Sequence, residues 1–152
     1  MSYEVMVFDP AFAPRGREPF SEWFAKQVDW DMEHDYMNPQ STTPALREWY
    51  DGIRLEYPAM NGPDATDDDH EIDRAGDYNF GPHFIYVTYP WFLAEEIYDR
   101  VRAVAVEKQV GFYDVSNDED EQEIYFPGDA LAPPSQGSWR SIAKQYRELS
   151  EH

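Results

Sequence analysis

Tyr3, Val5 and Val7 share one face of an extended segment, and Glu4, Met6 and Phe8 share the other. This period of two predicts a strand over 3–8. Pro10 and Pro14 then break the chain, and Arg15-Gly16-Arg17 crosses a loop. From Pro19 the period changes. Phe20, Trp23, Phe24 and Val28 recur at helical spacing, with Pro19 in the first turn, where its missing N–H removes no hydrogen bond. Residues 29–42 carry no period and read as a loop. Thr43-Pro44 supplies an N-cap followed by proline, and Leu46, Trp49, Tyr50, Ile53 and Tyr57 form a second helical stripe that Pro58 stops.

Residues 59–82 read as a long irregular segment. His83 to Tyr89 (HFIYVTY) is apolar on both faces and predicts a central strand. Pro90 opens a third helix running to about Gln109, with Leu93, Ile97, Val101, Val104 and Ala105 along one face. FYDV (112–115) and EIYF (123–126) predict a hairpin around the acidic turn SNDEDEQ. PGDALAPP (127–134) is an extended connector. Trp139, Ile142, Ala143, Tyr146 and Leu149 then mark a final helix, whose apolar face needs something to cover.

The resulting order is β-α-α-β-α-β-β-α. The strand–helix–strand unit spanning 83–115 should make a right-handed crossover with parallel strands, and the hairpin adds an antiparallel pair. The expected fold is therefore α+β, a two-layer sandwich with a mixed four-stranded sheet and helices packed on it. Residues 1–127 form the core domain. Residues 128–152 form the Pro-rich connector and a C-terminal helix docked on that core.

Composition tests whether such a chain folds. Leu, Ile, Val and Phe make up only 29 of 152 residues, a shortage that with high net charge marks disordered chains. Five Trp and eleven Tyr reverse that reading, because each aromatic can bury roughly 150–250 Å² and their placement is periodic. The core is expected to depend on aromatics.

Charge narrows the partners. Twelve Lys and Arg stand against 31 Asp and Glu, a net charge of −19. A nucleic-acid binder needs a positive face and a polybasic anchor needs clustered cations, so neither nucleic acid nor membrane is an expected partner. No apolar run approaches the roughly 20 residues that cross a bilayer. The segment MSYEVMVFDPAF lacks the basic start and apolar stretch of a secretory signal. With no cysteine, disulfides, thiolate metal sites and thiol catalysis are excluded together. A cytoplasmic location is expected.

The chemical motifs fail on inspection. His70-Glu71-Ile72-Asp73-Arg74 begins like a zinc-binding helix but has Arg74 where the second histidine belongs. A calcium loop begun at Asp64, Asp68 or Asp118 lacks the glycine required at its sixth position. Neither a Gly-rich phosphate loop nor a GxSxG nucleophile elbow occurs. Asp29, Asp31, Glu33, His34 and Asp35 make an acidic and histidine cluster over 29–35, within which Asp31, His34 and Asp35 are the alternative acid–base set, suited to a small hydrolase or a metal-dependent enzyme. Ordering the loop is the simpler role for these residues, as a place in the strand is for His83. The chain is expected to be non-catalytic and to need no cofactor.

The stretch HFIYVTYPWFLAEEIYDRVRAVAVEKQVGFYDVSNDEDEQEIYFPGD (83–129), with STTPALREWY (41–50) more loosely, resembles a family of small, acidic, uncharacterised bacterial cytoplasmic proteins. These share a strand, a helix carrying AEE, a GFYDVS-like strand and a final acidic hairpin. In size and acidity they are similar to the immunity proteins that neutralise bacterial polymorphic toxins. The resemblance implies a protein-binding module acting on a basic toxin, and it transfers no catalytic residue. A negative surface suits such a partner, since complementary fields steer encounter. The candidate interface comprises Asp64, Asp67, Asp68, Asp69, Glu71, Asp73 and Asp77, with Asp118, Glu119, Asp120 and Glu121 in the second acidic turn. High acidity also serves solubility alone, and a structural homodimer formed through the aromatic helices is a further reading.

Overall fold

The computed structural model describes residues 2–30 and 33–150, Glu119 by its backbone alone. Among the described residues nine strands and α-helices follow one another: β1 (Tyr3–Phe8), α1 (Arg17–Gln27), α2 (Pro44–Ile53), β2 (Asp77–Phe80), β3 (Phe84–Tyr89), α3 (Ala94–Lys108), β4 (Gly111–Tyr113), β5 (Ile124–Tyr125) and α4 (Trp139–Ser150). The fold is α+β. Five strands form one sheet in the order β2-β3-β1-β4-β5, and every neighbouring pair is antiparallel.

Two details depart from the expected four-stranded mixed sheet. The additional strand is β2, inside the segment read as irregular. Asp and Asn, both poor strand formers, occupy two of its four positions. The alternation of Tyr78 and Phe80 before the Gly81-Pro82 turn was the available signal. The second departure is in adjacency. β3 and β4 do run parallel, but β1 lies between them and pairs antiparallel with both. Its six residues are matched along their full length by β3, from Tyr3 opposite Tyr89 to Phe8 opposite Phe84. No local pattern reports that insertion.

Alternation along the strands sorts the core into two clusters. Tyr3, Val5, Val7, Ile85, Val87, Tyr89 and Phe112 face α2, α3 and α4. Met6, Phe8, Phe84 and Tyr113 face the other way, where Phe20, Trp23 and Phe24 of α1 cover them. A thinner third layer therefore joins the two that the pattern predicts. Gly111 permits the tight β1–β4 approach, since a Cβ there would meet the Phe8 ring at 2.2 Å. Gln109, left-handed at φ 59°, ends α3 and drops the chain directly into β4.

The C-terminal helix lies on the larger cluster. Trp139 and Ala143 are buried, and the Trp139 ring sits 5.4 Å from Tyr3 and 5.2 Å from Tyr98, centroid to centroid. Aromatics dominate the interior, and several tyrosine hydroxyls turn inward. Tyr89 donates to the Tyr78 hydroxyl (2.9 Å), which donates to the Tyr57 carbonyl (2.6 Å). Among the described residues no helix is long and apolar enough to cross a membrane.

Candidate functional site

The segment between α2 and β2 is irregular in backbone type but closed at its base. Gly76 donates to Pro58 O (2.8 Å), Met60 donates to Gly76 O (2.9 Å), and Thr66 donates to Ala59 O (2.8 Å). Its tip folds on itself. Thr66 Oγ1 donates to Glu71 Oε2 (2.6 Å), and Asp68 Oδ1 accepts from the His70 N–H (2.9 Å). A short 3-10 turn, Ile72–Arg74, completes the loop. The exposed carboxylates of Asp67, Asp69 and Asp73 are thus carried on an ordered scaffold, with no ion pair to them among the described residues.

The nearest cations are already engaged. Arg74 pairs with Glu96 of α3 at 3.0 Å and lies over the Tyr57 ring. Arg54 bridges Asp51 and Asp64, and Asp64 also accepts from Tyr50 OH at 2.9 Å. Burial and this carboxylate together push the Tyr50 hydroxyl well above its ordinary value. Asp64 is therefore part of the scaffold. Asp77 leaves the loop altogether: it opens β2 opposite Thr88, half-buried, and burial raises its carboxyl above the usual range.

Apolar groups adjoin the acids. Leu55 is 84% exposed, and Met60 and Ile72 are each 43% exposed. Beside Leu55 lies a shallow cleft of about 280 Å³ with Pro58, Ala59, Asp64, Thr66 and Glu71 in its walls. The cleft thus sets the exposed Leu55 against the carboxylates of Asp64 and Glu71.

The second acidic turn stands elsewhere. It joins β4 to β5, at the opposite edge of the sheet from β2, and four interstrand steps place the edges about 19 Å apart. One of its acids is committed to structure. Asp118 accepts from Ser138 Oγ at 2.7 Å and so holds the start of α4. Asp120 and Glu121 are exposed, and the Glu119 side chain lies outside the described residues. The two acidic segments are carried at opposite edges of the sheet.

Of the alternative acid–base cluster, His34 meets the edge strand β2 and Asp35 serves a local turn. Asp31 lies outside the described residues. The Phe80 carbonyl only accepts, so His34 Nε2 is the donor in their 2.7 Å hydrogen bond, and its ring meets Tyr36 edge-on. Asp35 accepts from the Met37 N–H in a local turn. His83 stacks on Phe12 at 3.7 Å. Among the described residues no group of three or more His, Asp or Glu is placed to hold a metal ion.

A third constellation escaped the sequence reading. Arg102 and Glu123 form a buried ion pair at 2.9 Å, 8% and 10% exposed. Tyr98 OH also donates to Glu123 (2.6 Å). Asp114 is fully buried nearby, and among the described residues neither of its carboxylate oxygens has a partner in hydrogen-bonding geometry. Burial raises its carboxyl to about 7, Glu123 adds to the rise, and the Asn117 amide, Arg140 and Arg102 oppose it. The available signal was period alone: in Phe112-Tyr113-Asp114, alternation puts Asp114 on the same face as Phe112.

Comparison with protein families, curated proteins and solved structures finds no match to this chain.

Proposed function

We propose that this protein is a non-catalytic binding module for a basic protein, and that residues 55–73 form its contact face. One observation carries the reading: Leu55 stands exposed in a cleft walled by Asp64 and Glu71, and Ile72 stands exposed on the same hydrogen-bonded loop as Asp67, Asp69 and Asp73, whose carboxylates have no ion pair among the described residues. Aliphatic anchors supply affinity once desolvated, and a charged rim supplies steering and discrimination. An ordered loop loses less conformational freedom on binding than a floppy one. The net charge of −19 extends the attraction beyond the contact itself. Neutralisation of a basic toxin, in the manner of an immunity protein, is the role that suits this chemistry.

The test is association kinetics with the product of any toxin-like gene beside this one, or with a cationic protein captured from the native host. Reversing Asp67, Asp68 and Asp69 to Lys is expected to slow association at least tenfold at low salt and to flatten its salt dependence. Leu55→Asp is expected to speed dissociation while leaving the melting temperature in place. A partner whose on-rate ignores both salt and the reversal overturns the reading.

A further inference from the structure

The C-terminal connector crosses the sheet edge with its own apolar groups in water: Leu131, Ala132, Pro133 and Pro134 are all exposed. Polar contacts hold it instead, and they converge on Ser135. Its Oγ accepts from Asn117 Nδ2 (2.7 Å) and from the Trp139 indole N–H (3.1 Å). Its N–H donates to Tyr98 OH (2.9 Å), and its carbonyl accepts from Arg140 Nε. Arg102 reaches the Ala132 carbonyl, and Asp118 holds Ser138. Segments with little apolar burial open at low free energy.

Beneath this strap and α4 lie buried polar atoms with no hydrogen-bond partner among the described residues. They are both oxygens of Asp114, the hydroxyl of Tyr3 and the indole N–H of Trp91. α4 rests on the turn that carries Trp91, and its Trp139 stacks on Tyr3. Unpartnered buried polar groups oppose burial, and an ionised one opposes it far more. We propose that Asp114 is a protonation latch: its neutral carboxyl lets the strap and α4 seat on the sheet, and its carboxylate loosens them so that water reaches it.

The neighbours do not reverse this. Arg102 of α3 is paired with Glu123, and Tyr98 of α3 donates to the same carboxylate. Arg140 of α4 faces Asp114 but is directed to the Ser135 carbonyl and lies over the Trp139 ring. Tyr3 of β1 is neutral, since burial holds its hydroxyl far above the ordinary value. The Asn117 amide also favours the carboxylate, but less than burial disfavours it, and its N–H groups are directed to Ser135 and the Glu121 carbonyl. The carboxyl ionises near 7 when the strap is seated and near 4 when water reaches it. The seated form thus holds the proton more tightly. Opening is least populated below about pH 4, rises about tenfold per pH unit, and levels off above pH 7.

Hydrogen exchange of the intact chain, corrected for the intrinsic pH dependence of amide exchange, reads this opening. Protection at residues 142–147 of α4 is expected to fall at least tenfold between pH 5 and pH 7 and then level off. In Asp114→Asn the same amides should show no such fall. Equal slopes in the two proteins overturn the proposal. So does a fall shared in step by Val5 and Val87, which would report global unfolding. Should the variant not fold, a carbon-13 titration of the wild-type Asp114 carboxyl decides. A midpoint between 6 and 8 that tracks the α4 protection supports the latch, and a midpoint near 4 overturns it.

Discussion

The side-chain amide of Asn61 pairs with both backbone groups of Tyr78, accepting from its N–H at 2.9 Å and donating to its carbonyl at 2.7 Å. One side chain thereby plays the part of a neighbouring strand. The rest of this edge is sealed in the same way: Phe80 donates to Tyr36 O (2.8 Å), His34 donates to Phe80 O, and Gly76 exchanges hydrogen bonds with Pro58 and Met60. An open edge would be a template for pairing with another chain. Asn61→Ala should therefore lower stability by about 1–3 kcal/mol, a fall in melting temperature of roughly 2–4 °C per kcal/mol at this size. It should also increase self-association in sedimentation at high concentration, where Asn61→Asp, keeping the acceptor, should increase it less.

The Arg102–Glu123 pair makes a contrasting prediction. Both groups are nearly buried, so removing one strands the other. Glu123→Gln and Arg102→Met should each cost about 3–5 kcal/mol in denaturant unfolding. Replacing both, as Arg102→Met with Glu123→Leu, should recover much of that loss. A double variant as unstable as the sum of the singles would show that the Tyr98 and Ala132 hydrogen bonds, and not the charge pair, hold this corner.

Trp139 is expected to dominate the attachment of α4. It is buried between Tyr3 and Tyr98, and cutting such a side chain to Ala typically costs about 3–5 kcal/mol. Truncation after Pro134 should cost several kcal/mol by the same loss of buried area. An unchanged melting midpoint in either protein would show that the core does not depend on this helix.

Excess negative charge sets the response to salt. At −19 the native state repels itself, so moderate NaCl should raise the melting temperature by screening. Magnesium or calcium at equal ionic strength should do no better, consistent with the carboxylates being spread along two distant segments. A large, saturable stabilisation by one divalent ion would instead reveal a specific carboxylate site.

Local pattern alone determined most of the elements. The period of two over 3–8 matches β1, and the apolar run at 83–89 pointed to the central strand found at Phe84–Tyr89. Helical spacing placed α2 on Leu46, Trp49, Tyr50 and Ile53, all of them buried. These signals survive in sequence because a strand or helix with one covered face must repeat its apolar residues at the period of its own backbone. The acidic bias was equally legible, since charge needs no fold to be counted. Tertiary structure decided the rest. It inserted β1 between β3 and β4, made an edge strand of the weak Asp77–Phe80 segment, and separated the two acidic segments to opposite edges. It also turned His34 and Asn61 into edge caps and left Asp114 buried with no partner in hydrogen-bonding geometry among the described residues. Each of these outcomes depends on which residues distant in sequence meet through backbone pairing and burial, and no period within a single element records that choice.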